Sequence, residues 1–259
     1  MALSHVGFSY GEQLVLRDIS LTIPQGKIVA IMGSSGSGKT TLLRLMAGLL
    51  RTELGEIRFQ DQPMHTLEEK ALNRYRRHMG ILFQFGALMT DLNVFENIAF
   101  PLREHTRLPE AIIRDMVTLK LHVVGLRGTQ SLMPSELSGG MARRVALARA
   151  IALDPTLMLY DEPFAGLDPI SLSIIAHLIK QLQIALNATA IIVTHDIVES
   201  LKIVDYVYFI ANGIVVAQGT PASLVKSRSP WLVQFIQGKK DGPVNFAYPN
   251  PQTLFEELS

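Results

Sequence analysis

An α/β chain built on a buried parallel sheet is expected here on three grounds. Residues 28–32, 156–160 and 189–193 are continuous apolar runs of strand length, as a sheet covered on both faces requires. Each run ends abruptly in polar residues, at Gly33-Ser34-Ser35, Asp161-Glu162 and Thr194-His195. Helical patterns, not tight turns, follow the first two of them. In open α/β sheets the strand carboxyl ends face the ligand crevice, so the three polar ends mark one candidate site.

In chain order, residues 3–23 read as short strands, Val6-Gly-Phe-Ser-Tyr10, Leu14-Val-Leu16 and the alternating Ile19, Leu21 and Ile23, closed by Pro24-Gln25-Gly26. They suit an antiparallel layer beside the site. Tyr10 ends a strand and either stacks on adenine or is an ordinary half-exposed strand aromatic. The next loop matches G-x-x-x-x-G-K-[ST], the Walker A phosphate cradle, and opens a helical pattern through Leu42, Leu43, Leu45 and Met46. Its candidate ATP-binding residues are Gly33, Ser34, Ser35, Gly36, Ser37, Gly38, Lys39, Thr40 and Thr41. The glycines let N–H groups converge on an anion at a helix N-terminus. Lys39 would reach the β- and γ-phosphates, and the Thr40 hydroxyl would ligate Mg²⁺.

Gly48 and Gly55 bracket a turn, residues 56–59 form a strand, and residues 67–78 a charged helix. Residues 79–84 are an apolar strand ending in Gln84, a candidate Mg²⁺ or water ligand. From Phe85 helices take over. Asn93 caps a helix at 94–98, and Pro109 starts another with Ile112, Met116, Leu119 and Val123 expected on its core face. Phe85, Leu88, Met89, Leu92 and Phe95 form an apolar cluster after Gln84, expected within a partner-docking surface over residues 85–105. Leu137-Ser138-Gly139-Gly140 leads into a helix at 142–153. Interior glycines cost a helix about 1 kcal/mol each, so at its mouth they either expose N–H groups to an anion or form a plain turn.

Residues 156–160 end in Asp161-Glu162-Pro163, and two carboxylates there are expensive unless a cation or water uses them. Asp161 fits Mg²⁺ coordination, and Glu162 fits the group that orients or deprotonates the attacking water. Gly166-Leu167-Asp168-Pro169 precedes a helix reaching Asn187. Of seven histidines only His195 stands at a strand carboxyl end, placed to hydrogen-bond the γ-phosphate as a second catalytic candidate. Residues 206–210 and 214–218 pair across Ala211-Asn212-Gly213, while Thr220-Pro221 and Pro230-Trp231 open two short helices. From Lys239 the chain is a proline-rich tail. Its Val244, Phe246 and Tyr248 alternate as on an extended segment, and with Leu254, Phe255 and Leu258 they predict an anchor on another chain.

Composition narrows the class. A chain of 259 residues buries about 70% or more of its unfolded surface, which gives it a core. Although 48% of it is apolar, no run approaches the 18 apolar residues of a membrane span, and the N-terminus lacks a secretory pattern. Zero cysteines exclude disulfides and thiolate metal sites. A net charge of +1 with no basic block takes nucleic acid off the list of expected partners.

Taken together, Gly33 to Thr41, Gln84, Leu137-Ser138-Gly139-Gly140, residues 157–162, Gly166-Leu167-Asp168 and His195 resemble, in order and spacing, the motif series of ABC transporter ATPases. The resemblance covers residues 1–238. It implies a P-loop NTPase with a RecA-like core, an antiparallel β layer and a helical subdomain over about residues 85–153. Its cofactors would be ATP and Mg²⁺. It further implies a head-to-tail dimer in which Ser138, Gly139 and Gly140 contact the γ-phosphate on the other copy, and it puts Asp168 among the nucleotide-site residues. Met141 departs from the glutamine commonest there.

Phe83-Gln-Phe-Gly-Ala-Leu, Asn93-Val-Phe-Glu-Asn, Pro101-Leu-Arg-Glu-His105, Met133-Pro-Ser-Glu-Leu-Ser-Gly-Gly-Met-Ala-Arg-Arg144 and Asp241-Gly-Pro243 are similar to the ATPase subunits of Mla phospholipid transport systems of Gram-negative bacteria. That likeness implies ATP hydrolysis powering phospholipid transport between inner and outer membranes. It implies a peripheral dimer on the cytoplasmic face of an inner-membrane permease, with a small STAS-domain subunit and a periplasmic lipid-binding MCE subunit. The tail, residues 239–259, would reach across to the second ATPase. The residues alone stop at a Mg²⁺-dependent nucleotide hydrolase. The alternative is a non-transport ABC ATPase, such as a cell-division type, that regulates a membrane partner.

Overall fold

The computed structural model describes residues 1–244. Phe246, Tyr248, Leu254, Phe255 and Leu258 of the expected anchor lie outside the described residues.

The N-terminal meander is one long hairpin, β1 (Ala2–Tyr10) and β2 (Gln13–Thr22), because register shifts at Leu3/Val6 and Val6/Phe8 let the strands run on where the alternation breaks. β3 (Ile28–Met32) then enters the core with every residue buried, and the phosphate loop hands it to α1 (Lys39–Met46). β4 (Leu54–Phe59) and the two-residue β5 (Gln62–Pro63) extend the antiparallel layer from β1. A 3-10 turn at Met64–Thr66 precedes α2 (Glu69–Arg76), which occupies the stretch expected as a charged helix, and β6 (Met79–Leu82) stops two residues short of Gln84.

The helical subdomain follows. α3 (Val94–His105) is capped by Asn93 Oδ1, which accepts from Glu96 N at 2.8 Å, and it continues through Pro101. In α4 (Glu110–Val123) the sequence carries two neighbouring apolar stripes, and the expected one is not the buried one. Ile113, Val117 and Leu121 are buried, whereas Ile112, Leu119 and Val123 are exposed and Met116 is half-buried. Periodicity defines a stripe but not which of two adjacent stripes meets the neighbouring helices. After a 3-10 turn at Pro134–Glu136, α5 (Gly139–Ala150) returns the chain to the sheet.

β7 (Leu157–Asp161), α6 (Pro169–Ala185) and β8 (Thr189–Thr194) complete the parallel core, and both strands are buried throughout. The window Pro169–Leu186 is apolar enough by length and mean hydropathy, 1.3, to cross a membrane. It is a sheet-packing helix instead, with Ile175, Ile179 and Leu182 buried and Ser173, His177 and Gln181 outside. α7 (Ile197–Ile203) has no counterpart in the sequence reading; Asp196 Oδ1 caps it by accepting from Glu199 N. β9 (Tyr206–Ala211) and β10 (Ile214–Gly219) form the expected hairpin, with Asn212 and Gly213 at φ 50° and 73°. α8 (Pro221–Val225) and α9 (Pro230–Gln237) follow.

All strands join one sheet in the order β5-β4-β1-β2-β10-β9-β3-β8-β7-β6. β6, β7, β8, β3 and β9 run parallel, which sets the carboxyl ends of β3, β6, β7 and β8 side by side. The first residues of the tail fold back on their own chain, where the Gln234 side chain pairs with the Val244 main chain at 2.8 and 2.9 Å.

Candidate functional site

A cleft of about 860 Å³ opens over those strand ends, within the range of small-molecule sites. Tyr10, Ser34, Ser35, Gly36, Gly38, Lys39, Thr40, Thr41, Gln84, Glu162 and His195 line it. Eleven residues named from sequence thus come to one place from five segments of chain.

Gly38 caps α1 at φ 92°, a left-handed conformation that a side chain would strain; its added Cβ would also meet Leu16 Cδ2 at 2.7 Å. The glycine thereby lets β2 cover the loop while the helix start stays bare of side chains. Lys39 is buried, its ammonium donating to Gly33 O and Ser34 O at 2.9 and 2.8 Å. Burial pushes its pKa down, and the carboxylates of Glu162 and Asp161 partly restore it. Ser37 Oγ is buried without a hydrogen-bond partner among the described residues, a donor left for an anion.

At the end of β7, Thr40 Oγ1 donates to Asp161 Oδ1 at 3.0 Å. Burial raises the Asp161 pKa above the ordinary carboxylate value, and the Thr40 bond lowers it in part. A carboxylate so placed is short of positive charge, and Mg²⁺ carried by a nucleotide would meet that need. The donor set therefore fits the ion. Among the described residues there is no cluster of three His, Cys, Asp or Glu for a metal held by protein alone.

Glu162 sits at φ 47°, its N–H donating to Val193 O at 2.8 Å. A non-glycine residue in that region costs about 1–2 kcal/mol, the kind of strain that persists where surroundings fix it. His195 Nδ1 stands 2.9 Å from Glu162 Oε2, which also accepts from His195 N at 3.3 Å. The carboxylate is buried and the imidazole exposed, so the pair spans the cleft wall from strand end to solvent. Tyr10 is 44% exposed and meets Phe8 edge-on at 4.9 Å, which leaves a ring face open to the cleft.

Gly33, Ser37 and Asp161 lie behind the lining, Gly33 and Asp161 bonded to Lys39 and Thr40, whereas Ser138, Gly139, Gly140 and Asp168 neither line this cleft nor bond to its lining. Ser138 Oγ caps α5, accepting from Met141 N at 3.3 Å, while the Met141 side chain packs on the helical core. Asp168 Oδ1 caps α6, accepting from Ile170 N and Ser171 N at 3.0 Å each. A Cβ on Gly140 would lie 2.6 Å from Ser171 Oγ, so the two caps adjoin. Gln13, Val15 and Phe235 line the cleft and were not named from sequence. Gln13 and Val15 follow Tyr10 round the β1–β2 hairpin; Phe235 arrives from α9 through its ring contact with Phe209 and leaves no local signal.

The profile of the ABC transporter family matches residues 16–165, more than half of the chain. The chain is 54% identical over 256 residues to the intermembrane phospholipid transport system ATP-binding protein MlaF of Haemophilus influenzae, covering 99% of this chain and 97% of that one. With the protein of the same name from Escherichia coli K12 it shares 50% identity over 244 residues, 94% and 91% of the two chains. Its fold superposes with a TM-score of 0.78 on the dimeric ATP-binding cassette MJ0796 bound to ADP and Pi, at 30% identity and covering 85% and 98% of the chains. With the strand order, the phosphate loop and these likenesses in agreement, the chain belongs to the ABC transporter family, as one of its ATP-binding cassettes.

Proposed function

We propose that this chain is the ATP-hydrolysing subunit of a transporter that moves phospholipid between inner and outer membranes. The observation that carries the hydrolase half is the convergence of Lys39, Thr40, Glu162 and His195 on one cleft, with Asp161 held behind it by the Thr40 hydroxyl. Likeness to the phospholipid transport proteins over nearly the whole chain supports the cargo.

In this reading the loop N–H groups and Lys39 hold the phosphates and Tyr10 stacks on the base. Thr40, Asp161 and Gln84 would hold Mg²⁺, which supplies charge compensation to the phosphates. Glu162 aligns the attacking water and takes its proton, and His195 keeps that carboxylate in place and reaches the γ-phosphate. Ser138, Gly139, Gly140 and Asp168 serve the nucleotide of a second copy, since their own cleft excludes them. The dimeric cassette it resembles supports that arrangement.

Residues 1–238 act as the ATPase domain, with the helical subdomain over about 85–153, and residues 239–259 as the docking tail. A permease helix would dock in the open groove of about 770 Å³ where Phe83, Met89, Phe100 and Pro101 stand beside Arg76 and Arg149. Leu88 and Phe95 instead pack on the helical core, and Phe85 stands 73% exposed beside it. In this reading the cassette sits peripherally on the cytoplasmic face of the inner membrane, and STAS-domain and periplasmic MCE subunits complete the assembly.

The test is copurification with its membrane permease, ATP turnover of the complex in vesicles of defined phospholipids, and mass spectrometry of bound lipid. Phospholipid-dependent turnover and a copurifying phospholipid are expected. An ATPase that forms a membrane complex yet neither retains nor responds to phospholipid would favour the regulatory, non-transport alternative.

A further inference from the structure

The loop after β6 runs Phe83-Gln84-Phe85-Gly86-Ala87, and three successive residues have left-handed backbone: Phe85 at φ 61°, Gly86 at 80° and Ala87 at 47°. Each non-glycine residue there costs about 1–2 kcal/mol, so two within three residues persist only where the surroundings over-determine the loop. Those surroundings are α5. Gly86 lies so close to the helix that an added Cβ would come within 3.1 Å of Ala146 Cβ. On either side of that contact an arginine of the same helix grips a loop carbonyl. Arg143 Nη1 donates to Phe83 O at 3.3 Å, and Arg149 Nη2 donates to Gly86 O at 2.8 Å.

Arg143 reaches further. Its Nη2 donates to Ala165 O at 3.0 Å, in the loop that follows Glu162. It is only 4% exposed, and the ion pairs among the described residues do not include it. Burial pushes the pKa of both arginines down from the guanidinium value. A buried charge without a counter-ion is costly, and a hydrophobic residue would pack a helix flank more cheaply. The fork of a guanidinium does what no apolar side chain can, joining two backbone segments that lie 60 and 22 residues away in sequence.

We propose that Arg143 and Arg149 are positioning residues that clamp the Gln84 loop onto the helix opened by Ser138-Gly139-Gly140, Arg143 extending the clamp to the loop behind Glu162. The proposal rests on the roles given above to Gln84 and Glu162. Its consequence is that a displacement of the Gln84 loop is passed to the start of α5 and to the loop behind Glu162.

The full-length chain carrying Arg143→Gln is assayed for MgATP affinity, turnover and melting temperature, and then combined with Gln84→Ala in a double-mutant cycle. Turnover should fall about tenfold at saturating ATP while affinity stays within about twofold, because the phosphate cradle is untouched. Since Arg143 acts through the Gln84 loop, the double variant should be no slower than the slower single variant within about twofold. A merely structural arginine would give additive losses, and additivity with Gln84→Ala itself impaired overturns the clamp alone. Wild-type turnover in Gln84→Ala overturns both the clamp and the role of Gln84. Should Arg143→Gln fail to fold, Arg143→Lys and Arg149→Lys keep the charge but lose the fork. Reduced turnover at unchanged ATP affinity supports the clamp there, and full turnover in both sinks it.

Discussion

Asp161, behind Thr40, holds the sharpest electrostatic conflict of the site, and Asp161→Asn exposes it. The carboxylate is 6% exposed and its pKa is raised, first by burial and then by Glu162, against the pull of the Thr40 bond, Arg44 and Lys39. Asparagine keeps an oxygen for the Thr40 hydroxyl, now 3.0 Å away, and carries no charge. Removing an incompletely compensated buried charge should recover about 1–2 kcal/mol. For a chain of this size that raises Tm in the absence of nucleotide by roughly 4 °C. The sign follows from the direction of the shift. A raised folded value means the protonated form is the one folding favours, so wild type has no deficit below the unfolded value of about 3.9 and loses relative stability as pH rises through the folded value. The gap between variant and wild type should therefore open with rising pH and then level off. Scanning fluorimetry between about pH 4 and about pH 8, with and without MgATP, measures it. With MgATP the order should invert, because only wild type can use the cation, and turnover of the variant should be lost. A variant melting at or below wild type without nucleotide across that range would refute burial as the dominant cause.

Glu162→Gln should keep ATP bound and lower turnover at least about 100-fold, as its amide retains an oxygen near His195 but cannot accept the proton of water; single-turnover assays and nucleotide retention decide it. Lys39→Ala should weaken ATP binding about tenfold or more, read by nucleotide titration, since the ammonium now over Gly33 O and Ser34 O is the cradle's only full charge. Met89→Glu with Phe100→Glu places charges in the 770 Å³ groove and should abolish capture of the permease while the isolated chain melts and hydrolyses ATP normally. Truncation after Gly238 should weaken self-association in sedimentation and lower Tm slightly, through loss of the Gln234 to Val244 pairing.

The parallel core was legible because its strands are buried on both faces, so that apolar runs such as residues 189–193 can be little else. Caps were legible for the same local reason, as Asn93, Thr220 and the Asn212-Gly213 turn satisfy backbone groups a few residues away. Choices among tertiary partners were not. On α4 both apolar stripes satisfy the helical period, and only the arrival of the neighbouring helices selects Ile113, Val117 and Leu121. α7 escaped because its seven residues span only about two turns, too short for a period to show, although Leu201 and Ile203 pack on the core. Asn97 reads as an ordinary helix residue, yet it is fully buried and its side chain pairs with both main-chain groups of Met89 and with the Leu92 carbonyl, which fixes the entry to the groove.

The site divides along the same line. Lys39, Asp161, Glu162 and His195 each end or follow a buried strand, so chain topology alone brings them together at one edge of the sheet. Arg143 looks like one more surface charge on a basic helix, and only the folded loops reveal what its fork holds. The remaining motif residues form a second, separate surface. Ser138 and Asp168 cap adjoining helices, Gly140 presses on Ser171, and the Ser171 bonds hold the Asp168 carboxyl below its ordinary pKa. Nothing in that cluster packs into the core, since Ser138, Gly139 and Asp168 are exposed. A surface of helix-start N–H groups kept bare by two glycines gains nothing for the stability of its own chain. It lies outside the cleft whose chemistry it complements. The economical reading is that one copy carries the phosphate cradle and the hydrolytic pair, and that a neighbouring copy, turned head to tail, presents this bare surface to the γ-phosphate. One chain then holds two halves of a site that cannot close on themselves. On the proposed arrangement nucleotide binding would draw two copies together, because each cleft is completed only by its neighbour's bare surface.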